Sequence, residues 1–271
     1  NCVRIRPGCA WLAWHEADDT QRASLTGLLR GWISEPDQPP RIRIADLPFY
    51  RSYKLLELSG PGPRGWLRSY ALVVPDATTS AAQPVVPLDG SSPPLHGINA
   101  LADELRLDAQ SVVPYLAFFC WAGQGEEGSF RIARSTWREI PLLQAPDDTQ
   151  REGLARCEWG IRPTDPEEER SKGFPDRSEG EFRFHATVAY SNAVFRTWMA
   201  VSPSGMVTML DDEPIVAQIP TRMEKFGSAR LGIPRRLAAI GHRLLGTKPV
   251  DADWLLGSAA PVAATTHKQV T

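Results

Sequence analysis

Between residues 181 and 214 polar and apolar positions alternate with period two, and the alternation breaks at two turn sequences. This pattern predicts antiparallel strands with one covered face. Asn192-Ala193 separates the run 182–191 from 194–202, and Ser202-Pro203-Ser204-Gly205 separates the latter from 206–210. Proline in a type I turn followed by glycine at a left-handed position suits a short hairpin. Taking Asn192-Ala193 as a two-residue loop places Tyr190 opposite Phe195, Val188 opposite Thr197, Ala186 opposite Met199 and Phe184 opposite Val201. The second turn pairs Val201 with Val207 and Met199 with Met209. All of these share one face. The other face carries Arg183, His185, Thr187, Arg196, Trp198, Thr208 and Leu210.

An apolar face of that size needs a cover, and residues 107–123 supply the element apolar enough to provide it. Asp108 can cap this helix, and Leu107 can pack on Val112 as a staple. Pro114 conflicts with a helix interior. The helix therefore either kinks there or begins at Ser111 with Pro114 in its first turn. Residues 115–121 are apolar nearly all round, which predicts burial on most sides. The expected fold is α+β: an antiparallel curved sheet, made of the C-terminal meander and N-terminal hairpins, packed on a buried central helix. Over about a third of the chain this pattern resembles the curved-sheet-on-helix folds of the cystatin-like and NTF2-like classes. The resemblance implies an architecture and transfers no activity.

The remaining chain divides by texture. Residues 1–40 hold a helix over 20–33, with Leu25, Leu28, Leu29, Trp32 and Ile33 at helical spacing. Residues 41–145 are strand-rich, with a hairpin of 53–58 and 67–74 around a glycine-proline loop and a short strand at 85–88. Residues 146–181 hold eleven acids against six basic residues and read as charged and irregular, with 164–180 a solvated loop. The meander occupies 182–221. Residues 222–271 form a basic helix opened by Pro234 and a frayed tail, and 222–248 carry seven Lys or Arg against the single acid Glu224.

Composition narrows the function classes only modestly. Of the 30 Lys and Arg residues five are lysines, and the formal net charge of the 271-residue chain is -2. The balance argues against a generally nucleic-acid-binding surface, and the arginine bias fits the codon usage of a GC-rich bacterial genome. The longest apolar run, 112–122, is too short to cross a bilayer. No basic-then-apolar leader opens the chain; a cytoplasmic location is expected, with an upstream leader left open because the chain starts at Asn1. Cys120 reads as a buried thiol, and the Cys2–Cys9 gap fits no common zinc spacing, a disulfide between them being the minority alternative.

Candidate chemistry is sparse. The glycine patterns at 60–65 and 123–128 lack the strand-then-helix context of a dinucleotide site and read as turns. His96 after Asp89-Gly90-Ser91-Ser92 invites a triad, but no nucleophile elbow surrounds either serine. Asp211-Asp212-Glu213 at the third strand's end reads as a solvated turn rather than a cation site, so neither metal nor cofactor is expected. Three functions follow. The first is a non-catalytic interaction or accessory module contacting an unidentified protein partner through the Trp198 face or through Arg235, Arg236 and Arg243. The second is a small-molecule-binding protein or enzyme with His185, Asp211 and Asp212 in a sheet–helix pocket walled by Trp198. The third is nucleic-acid binding through the basic C-terminal region.

Overall fold

The computed structural model describes residues 11–29, 40–62, 65–75, 84–221 and 226. Short β1 (Trp14–Glu16) and α1 (Asp19–Leu28) precede a meander of β2 (Arg41–Asp46), β3 (Lys54–Gly62), β4 (Gly65–Val73) and β5 (Val85–Leu88). These five strands form one antiparallel sheet in sequence order. Helices α2 (Pro93–Asn99) and α3 (Val112–Ala122) follow, then the small hairpin β6 (Gln124–Gly125) and β7 (Gly128–Ser129). A second sheet combines β8 (Arg131–Ile132), β9 (Ile161–Pro163), β10 (Phe182–Tyr190), β11 (Ala193–Val201) and β12 (Val207–Val216), with α4 (Asp148–Ala155) and α5 (Pro166–Lys172) inserted between β8 and β10. The fold is α+β, and both large sheets are antiparallel.

Helix α3 settles the proline conflict in favour of the later start. Ser111 stands at its N-cap and Pro114 lies in the first turn, where a missing N–H costs little. Asp108 accepts the backbone N–H groups of Gln110 and Ser111, organising the entry. One side of α3 meets the first sheet, where Trp121 packs edge-on to Tyr70 at 4.9 Å. The other side meets the second sheet, where the Cys120 and Met199 sulfurs are 3.9 Å apart. Phe184, Ala186, Val188, Met199 and Val201 join the same core, and Val207 packs at its margin. The meander's apolar face is thus covered by α3 as expected over β10 and β11, while Met209 on the edge strand stays exposed. The helix lies between two sheets rather than against one, and only Val113, Pro114 and Ala117 along it stay half-buried.

The β10–β11 register differs from expectation by two residues: Tyr190 pairs with Ala193, Val188 with Phe195, Ala186 with Thr197 and Phe184 with Met199. The turn is Ser191-Asn192, with Ser191 adopting a φ of 55°. A shift of two leaves every side chain on its assigned face. Pairing of Val201 with Val207 and Met199 with Met209 holds as expected. Strand β12 then runs on to Val216 instead of ending at Leu210. Being an edge strand, it tolerates Pro214, and bulges at Trp198/Met199 and Val194/Phe195 blunt it against further pairing.

The acidic segment is not an irregular solvated loop. Asp147 and Gln150 form a reciprocal capping box at α4, and Asp165 caps α5 through the N–H groups of Glu167 and Glu168. Leu154 of α4 joins Cys157, Ala189, Val194 and Val216 in a separate apolar cluster on the sheet's second face. Burial pushes the Cys157 thiol up to about 11 and the Cys120 thiol up to about 12. Outside the described residues lie Cys2, Cys9, most of the basic region including Arg235, Arg236 and Arg243, and the tail. No helix among the described residues is long and apolar enough to cross a membrane.

A chain of hydroxyl and amide bonds ties the halves together. Tyr50 donates to Asn99 Oδ1 at 2.8 Å, Asn99 Nδ2 donates to the Tyr115 hydroxyl at 2.7 Å, and Tyr115 donates to the Gly205 carbonyl at 2.5 Å. Gly205 has a φ of +78°, and a Cβ there would lie 2.5 Å from Asn99 Nδ2 and 2.6 Å from the Tyr115 hydroxyl. Gly205→Ala should therefore lose about 3 kcal/mol of stability through backbone strain and loss of this tie, read as a lowered midpoint in urea denaturation.

Candidate functional site

The second face of the meander carries one polar row across four strands. Arg162 pairs with His185, His185 with Trp198, and Trp198 with Asp211. The bulge at Leu210 creates this alignment: it shifts Asp211 from opposite Thr197 to opposite Trp198 and so moves its side chain across the sheet. Asp212 consequently pairs with Thr197 on the other face and is exposed. Of the three residues expected to share a pocket, His185 and Asp211 lie on one face, flanking Trp198, and Asp212 does not join them.

Helix α5 closes over that row. Glu168 and Lys172, one turn apart, project onto the same strip of sheet. Glu168 Oε1 accepts the Trp198 indole N–H at 2.9 Å and lies 3.4 Å from His185 Nδ1. The Lys172 ammonium sits 3.7 Å from the Trp198 ring centroid, 2.8 Å from Asp211 Oδ2, and pairs with Glu213. A cation on the ring face and a carboxylate at its N–H edge match the charge distribution of an indole. The hydrogen bonds that Lys172 donates to Asp211 and Glu213 raise its pKa, keeping the ammonium charged. Trp198 is 2% exposed, so its ring is no contact surface in this structure; α5 takes the place a partner would have occupied.

Beside this row lies a buried ionic cluster that sequence reading missed. Glu169 accepts from Arg177 Nε, from Arg183 Nη1 at 3.2 Å and from the Thr164 hydroxyl. Arg183, 3% exposed, also donates to Glu181 and to the carbonyls of Pro175 and Asp176. Asp165-Pro166 before three glutamates is a helix-start signal that was available in the sequence. The partners in this cluster were not visible, because Arg183 sits on the next element, beyond an intervening loop.

The depression nearest His185 is shallow and open to solvent. Glu158, His185, Ala186, Thr187 and Arg196 line an enclosed volume of only about 10 Å³. That is room for about one water-sized species and no organic ligand. The Ser91 hydroxyl donates to Asp89 within its turn, while His96 packs 5.6 Å from the Phe119 ring, where burial lowers its pKa. Among the described residues no three His, Cys, Asp or Glu side chains are grouped to hold a metal.

Burial opposes ionisation of Glu169, but hydrogen bonds from Arg177 and Thr164 and the nearby guanidinium charges outweigh it and hold its carboxyl below the usual range. Its stabilising contribution is therefore present above the unfolded carboxylate value of about 4.3 and is lost as pH falls through the lower folded value. Glu169→Gln should cost about 3 kcal/mol at neutral pH, because Arg183 keeps its charge in a buried site. The deficit should shrink below about pH 4 as the native carboxylate protonates, which urea melts across pH would reveal. Comparison with protein families, with curated proteins and with solved structures finds no match to this chain.

Proposed function

We propose that this chain is a non-catalytic interaction module of the bacterial cytoplasm, with a rigid two-sheet body and a basic C-terminal segment that contacts an acidic protein partner. The observation supporting it is where the charges go. Acids of the 146–181 segment are engaged locally: Asp147 and Asp165 cap helices, Glu168 meets Trp198 and His185, and Glu169 meets Arg177 and Arg183. Asp211 and Glu213 are likewise taken by Lys172. The seven basic residues of 222–248 stand in sequence against Glu224 as their single local acid, an excess that suits an acidic partner.

A second reading rests on the depression beside His185. Arg196 and His185 line it beside Glu158 and would hold a small anion there. A third, nucleic-acid binding by the same basic segment, requires an affinity that falls steeply with salt.

The readings separate in one set of measurements. Full-length protein and the variant Arg235→Glu/Arg236→Glu/Arg243→Glu are used to capture partners from cells that produce the protein, and both are titrated with duplex DNA. A specific partner whose recovery drops at least about tenfold on charge reversal supports the interaction reading. The same recovery from both proteins would refute it. Binding to DNA with a steep salt slope would favour the third reading instead. A small anion that raises the melting temperature of the wild type but not of His185→Ala or Arg196→Ala would favour the second.

A further inference from the structure

We propose that Tyr70, Trp121 and Gln124 form a recognition site for one aromatic residue of a basic peptide segment, and that the chain's own Phe226 occupies it as a tethered ligand. The proposal rests on the reading above, in which the basic segment makes the partner contact, and adds the place on the body where that segment is held. Phe226 is the one described residue between Thr221 and the C-terminus. Its ring meets Trp121 edge-on at 4.7 Å and 72°, and Tyr70 at 5.4 Å and 70°. Tyr70 and Trp121 are themselves edge-to-face at 4.9 Å. Three rings in mutual edge contact select an aromatic occupant over an aliphatic one.

The receiving walls are fixed independently of Phe226. Trp121 belongs to α3, and Tyr70 is held on β4 with its hydroxyl donating to the buried Glu57 at 3.2 Å. Glu57 in turn is clamped by Arg43 at 2.7 Å, so the group that holds the Tyr70 hydroxyl is itself fixed by an ion pair. Gln124 is oriented by two bonds of its own. Its backbone N–H donates to the Gly90 carbonyl at 2.7 Å, and its side-chain nitrogen donates to the Ser129 hydroxyl at 3.0 Å. The second bond fixes the amide so that Oε1 faces outward and accepts the Phe226 backbone N–H at 3.4 Å. Gly90, with a φ of +92°, leaves the room this amide needs, since a Cβ there would stand 2.7 Å from Oε1.

An aromatic recess beside an acceptor aimed at main-chain N–H is the chemistry of peptide recognition: the backbone bond gives affinity and the ring box gives selectivity. Charge agrees with the assignment. The exposed turn acids Glu126 and Glu127 lie just beyond Gln124, after Gly125, and Lys225 precedes Phe226 in a segment of basic excess. Tethering makes one small anchor sufficient. Thr221 is bonded to the Ser191 carbonyl at the hairpin tip, five residues before Phe226, so the ligand is presented at an effective concentration on the order of millimolar. An external segment must compete with that occupant and binds with correspondingly reduced apparent affinity.

The test uses the full chain, its Phe226→Ala variant, and a fluorescent peptide with the sequence of residues 220–232. The peptide should bind Phe226→Ala at least about tenfold more tightly than wild type, whose site is filled in cis. The same peptide with alanine at the phenylalanine position should bind neither. Trypsin cleavage after Lys225 should be about tenfold faster in Phe226→Ala than in wild type, with the body intact. Equal peptide affinity for the two proteins, or no binding to a Phe226→Ala protein whose melting temperature matches wild type, overturns the proposal. Should Phe226→Ala fail to fold, Phe226→Leu serves in the same comparison, because it preserves most of the volume and removes the ring contacts. Capture of a partner by the basic segment is read separately. Loss of that capture with the peptide result intact refutes the function reading alone, and the reverse refutes this site alone.

Discussion

Everything in the architecture follows from one helix that has no polar side. Residues 112–122 cannot rest on a surface, because any exposed stripe would leave Leu, Phe or Trp in water. Each large side chain that loses its contact with water there contributes about 1.5–3 kcal/mol before entropy is counted. One sheet covers only one side of a helix. The chain therefore supplies two sheets, an N-terminal meander and a C-terminal one, and encloses α3 between them. Each sheet then has an outer face of its own to protect. Leu25 and Leu29, in and just after α1, pack over the first, and α4 and α5 cover the second.

The two outer covers use different physics. The cluster at α1 is aliphatic, with Ile42, Ile44, Leu56, Leu58 and Val73 beneath it. Over the second sheet α4 is seated by apolar contact, but α5 is seated almost entirely by charge. Glu168, Glu169 and Lys172 all reach down onto strand residues that are buried or nearly so. Such contacts add modest net stability while strongly specifying position, since breaking one leaves a charge uncompensated. The polar constellation that sequence inspection singles out for chemistry is thus held in the service of helix docking.

How much of this was readable depended on the range of the interaction. Facial parity along β10 to β12 was legible because alternation is local, and it survived a register error of two. The late start of α3 was one of two solutions that Pro114 left open for a helix expected over 107–123, and only the tertiary fold chooses between them. The structure of 146–181 was not, because the charged run shows only half of each bond: Lys172 meets acids about forty positions later, and Glu169 meets Arg183 in a different element. The site fared similarly. His185, Trp198 and Asp211 were gathered correctly by type, yet the bulge that brings Asp211 to them and sends Asp212 away leaves no mark in composition. The recess at Tyr70 and Trp121 was invisible for the same reason, its members coming from β4, α3 and a segment a hundred residues further on.

The bond from the Tyr115 hydroxyl to the Gly205 carbonyl spans 90 residues, and it marks a constraint on biosynthesis. A nascent chain that has released only the first sheet and α3 holds half a core, with the Cys120 side of the helix bare. That surface stays sticky until the last strand clears the ribosomal tunnel, at translation speeds of about 5–20 residues per second. During those seconds half the core stands open to water, and the glycine at 205 closes the circuit only as the final strand folds back beside it.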